Sequence, residues 1–517
     1  MAGIVTNNFR KHNAEQFYEA FSEADSSRMY FFIGRSTAWP NEASPPVPTD
    51  SVQATEYDVW KNMIAVKRIQ TADRTFSVPR NDWANNTFYS DYNNASTTLS
   101  SNTFFVVTDD YRIYKCLYNN AANSSIAAAN STVEPTGTST STLNTSDGYK
   151  WKYMYSISTA DILKFLTTGY ISVATDSTVA SAASNGAIDI IDVDAGGNYY
   201  LGDIGKLTSA TNSSVLLINS NASSTDDVYT GSNIYTTGGT GSGQLGQIVN
   251  YVGSTRTATL SAGLSVTPDT TTTYVIGPRI TVAGNGTTAA TGYANVIVGG
   301  ATGNVINKVV MVNVGAGYST ANVTVSANSS HGTGGTASPR ISPPGGHGSN
   351  AVSELLGHNV MLNIQLTGSE GGTFPTSQDF RIFGILKDPL LTDGTAATAS
   401  AYNQATTLTL TSVSGAGRYT ADELLTGGTS LAVGRVLSFA NTNAANTAGT
   451  LKVTNIDGTY SAAETITGGG SSITATVGSV AAGSLLPVSG KMLYVENRAA
   501  ISRASDQTED IKIVVKF

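Results

Sequence analysis

Two patterns of apolar and polar positions run along the chain, and one gives way to the other near residue 180. In the first part, some stretches repeat their apolar residues with the spacing of a helix face. Phe17, Phe21 and Ala24 fall at i, i+4 and i+7. Asn13, with Gln16 three residues on, resembles a capping box, which predicts a helix opening at Asn13. Val52, Val59, Trp60 and Met63 predict a second helix over 51–63. Ile162, Phe165 and Leu166 predict a third over 159–168, with Gly169 placed to end it. Strand-like runs lie between them, at 29–33, 64–69, 103–107, 111–117 and 151–157. Residues 119–146 are rich in Ser, Thr, Asn and Ala without any period, and read as a long exposed loop.

Beyond residue 180 the apolar runs become short and are separated by Gly, Asn, Ser and Thr. Examples are 187–193, 214–218 and 307–314. Turn signals recur about every ten residues, the rhythm of a β-sandwich or barrel-like module. A stretch rich in Gly, Pro and Ser, 331–350, reads as a linker. Near the C-terminus the chain repeats itself. Tyr419-Thr-Ala-Asp-Glu-Leu-Leu-Thr-Gly-Gly-Thr-Ser430 parallels Tyr460-Ser-Ala-Ala-Glu-Thr-Ile-Thr-Gly-Gly-Gly-Ser471 at a constant offset of 41. Each copy reads as strand, turn, strand, with Gly-Gly at the turn, and two copies can pair into one compact β-module. At the end, Ile511, Ile513, Val515 and Phe517 alternate with Lys512 and Lys516, the mark of a half-buried strand that finishes a sheet. The expected fold is mainly β: an antiparallel β-sandwich core with a few short helices, plus inserted β-rich modules.

Composition narrows the function. A chain of 517 residues calls for two to four domains. Charged residues make up 13%, about half the usual share, so the polar surface falls to Ser, Thr, Asn and Gly. The net charge of -8 argues against nucleic acid, which needs clustered cations. Lys61, Lys67, Arg68, Arg74 and Arg80 form the densest basic run and read as a solvated or protein-contact patch. A single cysteine, Cys116, allows no disulfide within the chain and no cysteine zinc site, and its strand-like setting reads as a half-buried thiol. No basic segment leads into an apolar one at the start, and no run reaches the roughly 18 apolar residues of a membrane span. An aqueous compartment, with no membrane partner, is expected.

Candidate chemistry is sparse. Of the four histidines, His12 and His331 stand alone, while His347 and His358 bracket Glu354. A His, Glu, His set can bind zinc, but this spacing matches no standard ligand arrangement, and hydrogen-bonded or solvent-facing histidines are the expected outcome. Asp189, Asp192 and Asp194 before Gly196 and Gly197 lack the alternating ligands and downstream carboxylate of a calcium loop, and Asp189 and Asp192 read as side chains pointing outward from a strand. Gly241-Ser-Gly-Gln-Leu-Gly246 fits a bare dinucleotide string, but neither a buried strand before it nor a helix after it supports that use. Trp39, Trp60, Trp83 and Trp151 are expected in the core or at subunit contacts rather than stacked on sugar. No catalytic, cofactor-binding or metal residue is assigned, no cofactor is expected, and the chain reads as a non-enzyme.

Several segments, taken in order, carry a resemblance. They are Ile4-Val-Thr-Asn-Asn-Phe-Arg10, Phe32-Ile-Gly-Arg-Ser36 with Trp39, Pro48-Thr-Asp-Ser-Val52, Pro79-Arg80 with Asp82-Trp83, and Asp147-Gly-Tyr149 with Trp151. Phe380-Arg381, Asp388-Pro389-Leu390, Gly490-Lys-Met-Leu-Tyr-Val-Glu-Asn-Arg498 and Asp506-Gln-Thr-Glu-Asp510 complete the series. Together they resemble the gene-eight baseplate wedge protein of T-even-type contractile-tailed phages. The resemblance covers 1–180, about 350–400 and 485–517, which divides the chain into a family core (1–180, 346–400, 485–517) and two inserted β-rich blocks (181–345, 401–484). It implies a structural virion protein of the tail baseplate, assembled in the host cytoplasm. It also implies a homodimer beside other wedge subunits, with no catalytic residue or cofactor to carry over. The alternatives are a fibre-like protein that recognises host glycan through the insertions and, behind it, a polysaccharide-cleaving tail enzyme.

Overall fold

The run Met-Tyr-Phe-Phe-Ile-Gly is buried at every position, and the strand Met29–Gly34 that it forms lies in the middle of a sheet. A strand covered on both faces needs apolar side chains on both. A computed structural model describes residues 4–23, 27–120, 129–298, 303–326, 331–414 and 418–517. The chain divides into two compact units, Met1–Ser77 with His358–Phe517, and Val78–Gly357. It is mainly β, with antiparallel sheets and few short helices.

In the first unit, Met29–Gly34 is flanked by Met63–Arg68 and Gln378–Lys387, and the five-stranded sheet ends in Ala401–Asn403 on one side and Lys491–Arg503 on the other. Thr508–Lys516, Asn359–Thr367 and Arg74–Pro79 pair in a second sheet. Phe31, Ile33, Phe383 and Ile385 from the first sheet and Leu362, Ile364 and Ile513 from the second form one core. The alternation read at 511–517 thus places its apolar face inward.

The helix Asn7–Ala20 lies on this core through Ala14, Phe17 and Phe21. Phe17 meets Phe21 edge-on at 5.1 Å and Phe517 at 5.5 Å. The helix does not open at Asn13. Thr6 is its cap, accepting the Phe9 N–H at 3.2 Å, and Asn13 lies in the interior. The apolar face fixes which side packs but not where the helix begins. Ala24 lies outside the described residues. The second predicted helix is a π-turn, Val52–Glu56, running into Tyr57–Asn62, which buries Val59 and Trp60.

Within the same unit the repeat closes into a six-stranded barrel. Its strands, in order around it, are Thr406–Thr411, Gly449–Asp457, Val433–Asn441, Leu424–Gly427, Thr465–Gly468 and Thr474–Ala481. Leu408, Leu425, Val436, Leu451, Ile466 and Val477 fill it. Closure removes the sheet edges that two lone hairpins would expose. The left-handed backbone at Asp422 and Leu431 recurs at Ala463 and Ser472, with the offset of the sequence repeat.

The second unit begins with a sheet of Phe105–Val107, Arg112–Asn119, Tyr149–Ser156 and Leu143–Asn144 around Tyr89, Tyr114, Tyr149 and Trp151. Thr159–Phe165 is capped by Ser158 and ends at Leu166, short of Gly169; that glycine instead accepts the Arg80 N–H at 2.9 Å. The stretch 119–146 is not simply an exposed loop. Ser131 is fully buried and bridges Thr87, although 121–128 lie outside the described residues. Next comes a seven-stranded sheet, including Asn233–Gly238, Leu245–Val252 and Thr273–Gly277, around Ile234, Ile248, Tyr251 and Tyr274. A four-stranded sheet follows, built of Arg279–Gly284, Thr291–Val298, Asn304–Asn313 and Ala321–Ser326. It shares a core with the pair Ile188–Asn198 and Thr333–Ile341. The expected linker 331–350 is therefore half strand. Its glycines serve packing, since a Cβ on Gly335 would come within 2.5 Å of the Tyr200 hydroxyl.

Candidate functional site

Arg112–Asn119 is buried from its second residue to its last, so its lysine points into protein whichever face it takes. Lys115 is fully buried. Its ammonium pairs with Glu354, donates to His347 Nδ1 at 2.9 Å, and lies 4.1 Å from the centre of the Tyr92 ring. Glu354 sits at the end of the short helix Ala351–Glu354 and also accepts the N–H groups of Gly348, at 2.9 Å, and Asn350, at 3.1 Å. Two bonded partners for Lys115 and three for Glu354 offset the cost of burying the charges. Burial pulls the Lys115 ammonium below its ordinary value, with Glu354 pulling the other way.

His347 completes the cluster. It accepts from Lys115 at Nδ1, which leaves the proton on Nε2, and Nε2 stands 3.9 Å from Asp189. Burial, then Lys115, Lys152 and Arg340, hold the imidazole well below its ordinary value, so it is neutral at pH 7. Beside this cluster, Arg340 forks onto Asp192 and pairs with Asp91, and it donates to the Leu117 carbonyl at 3.2 Å. Cys116 is fully buried rather than half-buried, and burial pushes its thiol well up.

These positions revise part of the reading. His347 and Glu354 come together, but His358 belongs to the other unit. Among the described residues no group of three His, Cys, Asp or Glu can hold a metal ion. Asp189 and Asp192 are half-buried and engaged instead of pointing free to solvent, Asp189 by the Thr142 hydroxyl at 3.4 Å and Asp192 by Arg340, while the exposed Asp194 accepts from the Ser338 hydroxyl at 2.6 Å. Gly241–Gly246 spans the turn of a hairpin, where Gln244 Nε2 donates to the Gly241 carbonyl at 2.7 Å. Trp39, Trp60 and Trp151 are buried and Trp83 packs at the edge of the aromatic core. Of the basic run, Lys61 pairs with Asp457, Lys67 with Glu370 and Arg80 with Asp82, Arg68 donates to the Thr398 carbonyl at 3.3 Å, and Arg74 stacks on Tyr18. No motif or spacing in the sequence marks Lys115, Lys152 or Arg340. A lysine inside an aromatic, apolar strand was the available signal.

Asp189 also lines an open cleft of about 450 Å³, together with Lys150, Lys308, Tyr118, Asn144 and Asn295. It is the one carboxylate among the described residues that line the cleft. Among the described residues no helix is long and apolar enough to cross a membrane.

In the first unit, the residues that carry the family resemblance interlock. Arg381 donates to Glu42 at 2.7 Å and to the Ser36 carbonyl. Glu42 also accepts the N–H groups of Trp39, at 2.8 Å, and Ala500, at 3.1 Å. Burial pushes the Glu42 carboxyl up, but these bonds hold it below the ordinary carboxylate value. Trp39 Nε1 donates to the Arg498 carbonyl at 2.7 Å, and Asp388 accepts the Arg28 N–H at 2.6 Å. Together these bonds tie the early segment to the strands Gln378–Lys387 and Lys491–Arg503. No curated protein matches the chain. Residues 3–118 match the phage Gp8 family, described as bacteriophage T4 Gp8, and the match supports a structural protein of the phage tail baseplate.

Proposed function

We propose that the protein is a wedge subunit of the baseplate, acting as a homodimer that joins neighbouring wedge proteins during tail assembly in the host cytoplasm. The family match over residues 3–118 carries this reading. Three physical features support it. The charged clusters described above are internally paired, so they favour rigidity over reaction. A chain with only 13% charged residues places few ions at a contact, where each would have to be desolvated. Long strands at sheet borders, such as Lys491–Arg503, offer backbone edges to a neighbour. The blocks 181–345 and 401–484 are then additions to the family core that reach or thicken contacts, and the subunit carries no catalysis of its own.

The test is assembly. The purified chain is mixed with the other wedge subunits of its own phage, and masses are followed by sedimentation. A dimer that enters a larger complex is the expected result. A monomer that stays apart from every wedge subunit refutes the proposal. Removing 404–484 asks whether the barrel makes a required contact, since wedge assembly is then expected to weaken.

A further inference from the structure

The cleft beside Asp189 holds two cations, one of which, Lys150, lies 5.7 Å from the centre of the Tyr118 ring, itself part of the lining. Lys150 and Lys308 both line it, and among the described residues neither ammonium has an ion-pair or hydrogen-bond partner. Each is half-buried. Burial, then the charge of Lys308, pulls Lys150 below its ordinary value. Two like charges held in one concavity repel each other and raise the local concentration of anions. The remaining lining is mixed. Asn144, Asn295 and Thr142 offer neutral donors and acceptors, while Val275, Val310 and Met311 form an apolar strip. Asp189, which accepts from Thr142 at 3.4 Å, disfavours a compact dianion but can accept from hydroxyls. A ligand that suits all of these has singly charged carboxylates set apart from one another, several hydroxyls and an apolar ring face. At about 450 Å³ the cleft falls within the roughly 300–1,000 Å³ of small-molecule sites, and its concavity suits a ring-sized ligand better than a flat protein contact.

We infer that this cleft binds an acidic saccharide, with Lys150 and Lys308 on its carboxylates and Asn144, Asn295 and Asp189 on its hydroxyls. Calorimetric titration of the full chain with digalacturonate tests this, beside its neutral counterpart digalactose, inorganic phosphate and an oligo-glutamate peptide. Digalacturonate is expected to bind, more weakly as salt is raised, and at least about tenfold more tightly than the other three. Lys308→Met and Lys150→Met are each expected to weaken binding about tenfold or more. The inference is overturned if digalacturonate does not bind, or if it binds no better than digalactose. It is also overturned if phosphate or the peptide matches it, or if both lysine variants bind as the parent does. Should a lysine variant fail to fold, the four-ligand comparison on the unsubstituted chain decides alone.

Discussion

Glu423 and Glu464 each cap the other's repeat. Glu464 accepts the N–H groups of Thr429, at 3.2 Å, and Ser430, at 3.0 Å, in the first copy. Glu423 accepts those of Gly470, at 3.0 Å, and Ser471, at 2.8 Å, in the second. Each also accepts a serine hydroxyl at 2.9 Å from the turn it caps. The exchange explains why Glu, Gly-Gly and Ser recur together in the sequence: each copy supplies the acceptor for the other's turn, so one copy alone leaves its turn unsatisfied.

Replacing either glutamate by alanine is therefore expected to destabilise the barrel by about 1–3 kcal/mol, the cost of buried N–H groups left without an acceptor. The pH dependence follows from the same bonds. Burial raises both carboxyls, but the hydrogen bonds outweigh it and hold them below the ordinary value. A carboxyl depressed in the fold stabilises above its unfolded pKa, about 4.3, and loses that contribution as pH falls through the folded value. Denaturant titrations of parent and Glu464→Ala should converge as pH drops below about 4. A constant gap between them contradicts the account.

The two repeat tyrosines are not equivalent. Tyr460 donates its hydroxyl to the Leu425 carbonyl at 2.8 Å, whereas the buried Tyr419 hydroxyl has no partner among the described residues. Tyr460→Phe should cost about 1 kcal/mol, and Tyr419→Phe should be neutral or stabilising. Equal losses in thermal denaturation would show that the barrel treats the two hydroxyls alike.

The Lys115–Glu354 pair gives a different expectation. Lys115→Met leaves the Glu354 carboxylate buried without its cation, a loss of about 3–5 kcal/mol. Adding Glu354→Gln removes that charge while keeping an oxygen for the Gly348 and Asn350 N–H groups, so the double variant should recover part of the loss. A double variant no more stable than Lys115→Met would locate the damage in packing around Tyr92.

How much of this could be read in advance depended on distance along the chain. The repeat was legible as a compact β-module, though not as a closed barrel, because both partners of each bond recur inside one short repeat. The apolar faces of the helices were legible because Phe17, Phe21, Val59 and Trp60 state them locally, but the Thr6 cap gave no comparable signal. At 111–117 the alternation predicts a strand without revealing that its neighbours cover both faces. The network on Lys115 draws on residues from 91 to 354, and no local pattern joins Asp91, Asp189, Arg340 and His347. The glycines of 331–350 signal a linker by composition, and only the ring of Tyr200 shows that they are needed inside a strand pairing.

His347 makes the second unit sensitive to mild acid. Its folded-state pKa lies well below the ordinary 6.5, through burial and the nearby cations. Below 6.5 the unfolded chain takes up a proton that the folded chain refuses, so stability falls with pH until the folded value is reached. Equilibrium unfolding between pH 7 and pH 5 should show this slope, and His347→Gln should flatten it. An unchanged slope in His347→Gln would assign the effect elsewhere, for example to His358, which burial and Arg10 also depress.

Cys116 offers a direct reading of when that unit opens. It is the sole cysteine, it is fully buried, and burial with Asp91 nearby pushes its thiol well above the ordinary value. The nucleophile in alkylation is the thiolate, which this setting both hides and disfavours. Iodoacetamide should leave the native chain unmodified and label it fully in denaturant, and labelling under native conditions should follow opening of Arg112–Asn119. Because Lys115 is its neighbour in that strand, Lys115→Met should speed native-state labelling by the factor that its stability loss dictates. Rapid labelling of the unsubstituted chain without denaturant would mean that this strand is not held as described, and the buried ion pair would lose its place in the account with it.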